Sequence, residues 1–357
     1  MSLITINPMK STSLGGVETL IRELQAVYAG SGPITELYEK PSEKDEFNER
    51  KGVEYRCFGI SFLGLAILSK ILTKFRQILF LSRSCSSGHD ATVVLFHPND
   101  LLYMPARVRK EARVILVQTN RLDVFFGGRL EHFVLRRYAR FVDVISVYTD
   151  QDEKRLAEEY QGAFSRTVVI PRGCKIDTAE VAPTHSKKLV AIARIDEEQK
   201  NFTAMVSIMR NLPSDFSLDI YGGGSASEVA ALNKLVEPFD KVRYMGVTVD
   251  VQETLSNYAV FIMTSHYEGF GQTLIEARSQ GLPIVAFDTF DALSWIVDDG
   301  KSGFVVPAYD EALFVKKLEL LCGSKELYAS FAEQSLLKAS ETDRAVVRSK
   351  WFKELIH

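Results

Sequence analysis

The sequence has 357 residues, of which 46% are hydrophobic and 25% are charged, a composition typical of a folded globular protein and a length that favours two domains over one. Its net charge is only −3, but residues 51–140 hold fifteen Lys and Arg against six Asp and Glu. This local excess indicates either an anionic partner, such as phosphate, nucleic acid or a lipid surface, or a solvated basic face.

The N-terminus and the cysteines both indicate a reducing compartment. The first residues, MSLITINPMK, have no cationic region followed by a long apolar stretch and a cleavage site, so we predict no secretory signal. The four cysteines are far apart and form no Cys-x-x-Cys or Cys/His spacing, which argues against a zinc site or a disulfide scaffold. We therefore expect a cytoplasmic protein.

Short β-branched runs alternate with longer helical patterns along the chain, as in βαβ units with a parallel sheet. Strands are predicted at 3–6, 53–58, 92–96, 113–117, 142–147 and 167–170. A polar stretch punctuated by proline, 171–188, predicts an interdomain linker. Further strands are predicted at 189–193, 217–221, 242–245, 260–264, 284–286 and 303–306. The expected fold class is α/β, with two doubly wound Rossmann-like domains and a ligand cleft between them at the carboxyl ends of their strands.

Two turns between a strand and a helix carry candidate phosphate ligands. Gly15 and Gly16 follow the first strand, where the absence of Cβ lets a ligand approach the backbone and the helix start offers N–H groups to an anion. Arg194 ends another predicted strand and Lys200 opens the next helix, so the two cations can grip a diphosphate. The alternatives are a simple turn for the glycines and, for Arg194, a surface ion pair with residue 196 or 197.

The strongest signal is the segment HYEGFGQTLIEA at 266–277, directly after the predicted strand 260–264. Glu268 lies in a loop flanked by glycines, and Glu276 falls about one turn into the next helix on its inward face. A carboxylate at that position can accept both hydroxyls of a ribose, and the helix N-terminus suits a phosphate. The alternative is a capping glutamate plus a solvated one.

These motifs resemble those of the family-4 retaining glycosyltransferases of the GT-B fold, in which two glutamates are separated by seven residues. Five segments, one of which contains the two glutamates, match that family in the same order. They are GGVE at 15–18, Arg194 with Lys200, EGFGQTLIEARSQGLP at 268–283, DGKSGFVV at 299–306, and a closing helix that contains Trp351 and Leu355. The resemblance thus spans almost the whole chain.

The resemblance implies an acceptor domain at 1–172, a nucleotide-sugar donor domain at 173–340 and a closing helix, 341–357, that crosses back to the first domain. It implies that Arg194 and Lys200 hold the donor diphosphate, that Glu276 binds the ribose and that Glu268 faces the transferred sugar. The catalytic set is Glu268, Arg194 and Lys200, and the donor-binding set is Gly15, Gly16, Gly269, Phe270, Gly271, Gln272, Thr273, Leu274 and Glu276.

The implied reaction retains the anomeric configuration by front-side displacement, in which the leaving phosphate accepts the proton of the acceptor hydroxyl and needs electrostatic stabilisation. No cofactor and no metal ion are expected. Many family members place a His near the donor sugar at the end of the strand found here at 113–117, but this chain has Gln118 and Asn120 there. Either could supply that hydrogen bond, as could His97 at the previous strand end. Arg172 stands where the family usually shows Asn.

The resemblance leaves UDP-hexose, UDP-N-acetylhexosamine and GDP-mannose open as donors and favours UDP. It implies a role in bacterial surface polysaccharide synthesis, such as lipopolysaccharide, O-antigen or capsule, with a glycan or lipid-linked acceptor. A nucleotide-sugar epimerase of the same fold is one alternative, although its acid and base residues cannot be assigned. A nucleic-acid-binding protein is the other, but aromatic residues interleaved with the basic ones in a recognisable module are lacking, so we expect no nucleic acid.

The segment 61–84, SFLGLAILSKILTKFRQILFLSRS, predicts peripheral contact with an anionic membrane on the cytoplasmic face of the inner membrane. Apolar residues recur at helical spacing and polar or basic ones fall mainly on the opposite side. The apolar set is Leu68, Ile71, Leu72, Phe75, Ile78 and Leu79. Four charges and short apolar runs exclude a spanning helix. The alternative is a core helix whose apolar face packs on the sheet.

Overall fold

The structure is a computed structural model that describes residues 1–13, 15–41, 45–62, 65–85, 91–160 and 162–356. The chain divides into two compact units. The first unit comprises Met1–Pro171 together with Val347–His357, and the second comprises Arg172–Val346. The change from one unit to the other thus falls one residue before the predicted end of the first domain.

The first unit is built on a seven-stranded parallel sheet of order β3-β2-β1-β4-β5-β6-β7. Its strands are β1 (Ser2–Met9), β2 (Ile34–Lys40), β3 (Val53–Cys57), β4 (Ala91–Leu95), β5 (Arg113–Val117), β6 (Val144–Val147) and β7 (Thr167–Val169). Its helices are α1 (Gly16–Tyr28), α2 (Ala66–Ser84), α3 (Ala106–Glu111), α4 (Leu122–Phe125), α5 (Arg129–Tyr138) and α6 (Asp150–Tyr160), with 3₁₀ turns at Pro98–Tyr103 and Ala139–Phe141. Alternate residues of β1, β4 and β5 enter two separate apolar clusters, so both faces of the sheet are covered.

The sequence pattern missed β2. Its residues, ITELYEK, carry a charge at the centre of the strand, and Glu36 there is fully buried. The carboxylate accepts hydrogen bonds from the Ser11 amide at 2.7 Å, the Ser11 hydroxyl at 2.5 Å, Gln25 at 2.6 Å and Asn7 at 3.2 Å. A buried carboxylate is tolerated because these donors replace water.

The second unit contains a six-stranded parallel sheet of order β10-β9-β8-β11-β12-β13 around one large apolar cluster. Its strands are β8 (Lys188–Ile192), β9 (Ser217–Tyr221), β10 (Val242–Gly246), β11 (Val260–Met263), β12 (Ile284–Asp288) and β13 (Gly303–Pro307). Its helices are α7 (Glu197–Lys200), α8 (Phe202–Asn211), α9 (Ala226–Val236), α10 (Val251–Ser256), α11 (Gln272–Ser279), α12 (Leu293–Ile296), α13 (Glu311–Gly323) and α14 (Lys325–Ala339), with a 3₁₀ turn at Ser340–Thr342. Every predicted strand of both halves is present, with ends shifted by up to three residues.

The last helix, α15 (Arg344–Ile356), packs on the first unit. Trp351 and Leu355 are buried in the same cluster as Leu3 of β1. Glu354 receives a two-pronged hydrogen bond from Arg166 at 2.7 and 3.0 Å, so a charge pair reinforces the apolar contact.

Helix α2 differs from the expectation of an apolar face on the sheet. Its buried residues are Ser69, Thr73, Gln77 and Leu81, so a mostly polar stripe faces the protein. Leu68, Ile71 and Phe75 instead point outward and are exposed. The alternative of a core helix is therefore wrong for these three residues, because Ser69, Thr73 and Gln77, together with Leu81, occupy the inner side of the helix. Residues 63 and 64 of the predicted segment lie outside the described residues.

Candidate functional site

The candidate donor site lies in the second unit, at the carboxyl ends of β8 and β11. The short helix α7 follows β8, and Asp196 caps it by accepting from the Gln199 amide at 3.2 Å. The loop after β11 carries Ser265 and Glu268. Because the carboxyl ends of parallel strands meet at one edge of a sheet, residues 68 positions apart come together there.

Lys200 and Glu268, both predicted as catalytic, are in direct contact. The Lys200 Nζ atom lies 2.5 Å from Glu268 Oε1, and the side chains are only 12% and 10% exposed. Ser265 donates its hydroxyl to the same oxygen at 2.7 Å. Both hydrogen bonds therefore end on Oε1 of the carboxylate.

Arg194 is exposed and is held by its neighbours. Its guanidinium donates to Asp196 at 2.9 Å and to the Gln199 side chain at 2.8 Å. The pairing with Asp196 is the alternative foreseen from the sequence. Gln199 also donates to the Tyr267 carbonyl at 3.2 Å, and so links Arg194 to the loop that carries Glu268.

Helix α11 begins at Gln272, after Gly271 in a left-handed conformation with φ 94°. A Cβ at Gly271 would stand 3.1–3.3 Å from Leu274, Phe290 and Ile296, so both conformation and space favour glycine. The Leu274 amide donates to the Gly271 carbonyl at 3.0 Å. Gln272 and Thr273 come before Leu274 in the first turn of α11. Their amides lie at the positive end of the helix dipole.

Two further predicted donor ligands, Phe270 and Glu276, lie around this helix start. Phe270 is buried and packs on Trp295 with ring centroids 6.0 Å apart. Glu276, one turn into α11, is buried and accepts from Gln272 Nε2 at 3.3 Å. Burial raises the pKa of Glu276, and nearby Lys175 and the Gln272 bond oppose that rise.

Sequence reasoning missed three contacts of this site. Gln199 bridges Arg194 to the glutamate loop, and Ser265 bonds Glu268, although both stand beside residues already singled out. The third is Tyr309, a non-glycine residue at φ 68°, whose hydroxyl lies 3.1 Å from His266 Nδ1. No local sequence motif marks Tyr309. It lies in the loop after β13 and comes close to His266, in the loop after β11, because both strands belong to the same sheet.

In the first unit, Gly15 and Gly16 form the start of α1 as predicted, with Gly15 at the N-cap. A Cβ on Gly15 would stand 1.9 Å from the Glu18 carboxylate, and the Gly15 carbonyl accepts from the Thr19 hydroxyl at 2.7 Å. The turn therefore requires a residue without a Cβ unless Glu18 moves.

The three sugar-side candidates make local bonds. Gln118 is buried, donates to the Asn120 carbonyl at 3.0 Å and accepts from the Tyr148 amide at 2.9 Å. Asn120 is exposed and accepts from the Arg121 amide at 2.9 Å. His97 is exposed and caps the 3₁₀ turn by accepting from the Asn99 amide at 3.2 Å. His97 and Asn120 are therefore accessible, whereas the Gln118 side chain is occupied by hydrogen bonds to the backbone at the ends of two strands.

Within the described residues, no group of three or more His, Cys, Asp or Glu side chains is placed to hold a metal ion. Metal-independent transfer stays a prediction.

Comparison with known proteins finds a family model that matches part of the second unit. Residues 186–324 match the family model described as "Glycosyl transferases group 1". The amylovoran biosynthesis glycosyltransferase AmsD of Erwinia amylovora is 27% identical over 176 residues, which cover 48% of this chain and 49% of AmsD. The chain spans half or less of the length of the first curated relatives that it matches.

Two solved structures align with nearly the whole chain. The lipopolysaccharide outer core galactosyltransferase WaaB has a TM-score of 0.71 at 18% identity, covering 97% of this chain and 99% of WaaB. HepE of Anabaena, solved in complex with UDP, has a TM-score of 0.76 at 14% identity, covering 99% of each chain. The expected fold class, two Rossmann-like domains of the GT-B type, is confirmed.

Proposed function

We propose that the chain transfers a sugar from a nucleotide diphosphate sugar to an acceptor hydroxyl, starting from the match of residues 186–324 to the model of the group 1 glycosyltransferases. The observation that carries the proposal is the contact of Lys200 with Glu268 beside Arg194. At one edge of the sheet, this arrangement combines two cations that can bind a diphosphate with a carboxylate that can bind a sugar. The epimerase alternative has no support, since the relatives described above are transferases.

The proposed reaction retains the anomeric configuration. The acceptor oxygen bonds to the anomeric carbon as the bond from that carbon to the phosphate oxygen breaks on the same face. The leaving phosphate takes the proton of the acceptor hydroxyl, so the products are a glycoside and a nucleoside diphosphate. Arg194 and Lys200 stabilise the charge that develops on the phosphate, and no metal ion or cofactor is needed.

Each remaining ligand has a role set by its position. The amides of Gln272 and Thr273 meet the phosphate at the start of α11, and Glu276 accepts the ribose hydroxyls. Oε1 of Glu268 is occupied by Lys200 and Ser265, so Oε2 meets a hydroxyl of the transferred sugar. Gly269 and Phe270 line the donor site of the second unit. In the first unit, the start of α1 at Gly15 and Gly16 is the candidate phosphate contact, and His97 or Asn120 is the candidate sugar ligand in place of the family histidine.

The donor is a UDP-sugar, and the product belongs to a bacterial surface polysaccharide. Support comes from the UDP complex of HepE and from the roles of AmsD in amylovoran synthesis and of WaaB in lipopolysaccharide synthesis. The acceptor is a glycan or a lipid-linked glycan. We place the reaction in the cytoplasm at the membrane surface, where lipid-linked acceptors lie.

A thermal-shift panel of UDP-glucose, UDP-galactose, UDP-N-acetylglucosamine and GDP-mannose tests the proposal. A ligand that binds only the folded protein at one hundred times its Kd stabilises it by about 2.7 kcal/mol. We expect one UDP-sugar to raise the melting temperature, and Glu276→Ala to abolish that rise. If none of the four donors shifts the wild-type protein, the proposed function is wrong.

Kinetics separate the two glutamates. Glu276→Ala should raise the KM for the donor, because the ribose contact exists before and during transfer. Glu268→Ala should act mainly on kcat, because its sugar contact orients the reacting centre. The control is Glu326→Ala, on an exposed helix start of the same unit, which should leave both constants unchanged. Wild-type kinetics in either variant would remove that residue from the site.

A further inference from the structure

Helix α2 is fixed to the first unit through polar side chains. The Ser69 hydroxyl accepts from the Phe62 amide at 2.9 Å, and the Thr73 hydroxyl accepts from the Ile60 amide at 2.9 Å. Gln77 donates to Asp100 at 3.1 Å. These residues are four positions apart and form one stripe, so hydrogen bonds fix which side of the helix faces out.

The outward side of α2 is apolar. Ile67 is 77% exposed, Ile71 is 61%, Phe75 is 55% and Leu68 is 44%. An isolated exposed leucine needs no explanation, but four large apolar side chains on two turns of one helix form a contiguous patch. Such patches mark surfaces that leave water when a partner or a membrane is bound.

The charge around this patch is positive. Helix α2 carries four cations, Lys70, Lys74, Arg76 and Arg83, and no acidic residue. Lys74 pairs with Glu39 at 3.2 Å, and Arg76 donates to the Cys57 carbonyl, a neutral acceptor, at 3.0 Å. Lys70 is exposed within the apolar side. A basic helix with an exposed apolar face has the composition of an interfacial membrane helix.

A second surface of the same kind lies on the α4–α5 segment, which the sequence analysis did not single out. Val124, Leu130 and Phe133 are exposed there, and the neighbouring cations are Arg129, Arg136, Arg137 and Arg140. The 3₁₀ turn Pro98–Tyr103 lies between the two helices, because Asp100 accepts from Gln77 of α2 and Asn99 donates to Glu131 of α5 at 2.5 Å. The two helices therefore contact the same turn.

We propose that α2 and the α4–α5 segment together dock the first unit on an anionic lipid bilayer. The exposed apolar side chains enter the boundary between headgroups and acyl chains, and the cations meet anionic headgroups. A second copy of the chain is disfavoured as the occupant, since it would oppose one basic face to another. The inference goes beyond the transfer reaction and does not depend on it.

The test is cosedimentation with vesicles of phosphatidylcholine alone or with phosphatidylglycerol, at low and high salt. Wild-type protein should bind only the anionic vesicles and should dissociate as salt rises. Ile71→Gln/Phe75→Gln and, separately, Leu130→Gln/Phe133→Gln should each lower the partition coefficient about tenfold or more. Lys70→Gln should lower it about fivefold. Leu320→Gln/Leu337→Gln, which changes two exposed leucines of the second unit, should leave it unchanged.

Three results would overturn the proposal. One is wild-type protein that stays in the supernatant at low salt with anionic vesicles. Another is equal loss of binding in the second-unit control. The third is a dimer by light scattering that Ile71→Gln/Phe75→Gln converts to a monomer, which would make the surface an interface between copies. Because all the changed side chains are exposed, circular dichroism should show unchanged folding in each variant, and binding of UDP should be unaffected.

Discussion

Lys200 Nζ lies 2.5 Å from Glu268 Oε1, and this ion pair is almost enclosed by protein. Each charge offsets the loss of water around the other, so removing one partner leaves an uncompensated charge. The pair also holds the Lys200 ammonium beside the loop that begins α11. Without a donor, Glu268 is therefore the anion that keeps Lys200, the proposed diphosphate ligand, in position.

A double-mutant cycle measures this coupling. Lys200→Met and Glu268→Gln should each lower the free energy of unfolding by about 1.5–3 kcal/mol, as expected for a hydrogen bond to a charged group. The double variant should lose clearly less than the sum of the two, because no unpaired charge remains. Urea denaturation provides the values. Additive losses would show that the two side chains do not stabilise each other.

Calorimetry with UDP and uridine tests the diphosphate role of Arg194. We expect Arg194→Gln to weaken UDP binding by about 10-fold to 150-fold, which corresponds to about 1.5–3 kcal/mol. Uridine binding should stay unchanged, because the lost contacts are to phosphate. Arg210→Gln, a cation on α8 of the same unit, is the control. An equal loss for UDP and uridine would refute the phosphate contact.

The sequence predicted the two-domain α/β fold because alternating strand and helix patterns and the glutamate motif are local signals. It missed β2, because Glu36 at the centre of the strand breaks the apolar pattern and its partners Ser11 and Gln25 lie elsewhere in the chain. It also predicted an apolar face without showing which side of α2 would be buried. That orientation depends on Asp100 and on backbone amides, which no periodicity reveals.

The raised pKa of Glu276 predicts a pH dependence of stability. Because burial raises the pKa above 4.5, its ordinary value, the folded protein binds this proton more tightly than the unfolded chain does. This group therefore makes the protein less stable as pH rises through the window above 4.5. Glu276→Gln removes that effect, so the variant should gain stability relative to wild type across the window. Thermal melts from pH 4 to 8 give the difference, and a difference that stays constant with pH would contradict the assignment.

Transfer should proceed without a divalent metal ion, because we propose that Arg194 and Lys200 supply the positive charge for the diphosphate. Activity should be unchanged by EDTA and by added manganese. In the Arg194→Gln variant, added manganese should restore little activity. Within the part of the chain that the structure describes, no acidic cluster is placed to hold the ion. Wild-type activity that disappears in EDTA and returns with manganese would show that the cations do not suffice.

Glu36 should be a major stabilising residue of the first unit. Glu36→Ala would leave the Ser11 amide and hydroxyl and the Gln25 amide without their buried acceptor. An unsatisfied buried donor costs about 1–3 kcal/mol, so we expect the variant to lose roughly 3 kcal/mol or more. Glu54→Ala, on the exposed side of the neighbouring strand β3, is the matched control and should change stability by less than about 0.5 kcal/mol.

Amide hydrogen exchange shows which part of the first unit is destabilised in Glu36→Ala. The Ser11 amide donates to Glu36 at 2.7 Å and lies in the loop that leads from β1 to Gly15. Its exchange should be slow in the wild-type protein and in Glu54→Ala, and fast in Glu36→Ala, because the amide loses its acceptor. Amides at the centre of β5 should stay protected in all three proteins. Unchanged protection of Ser11 in Glu36→Ala would mean that other contacts hold this loop, and that the buried carboxylate does not position the start of α1.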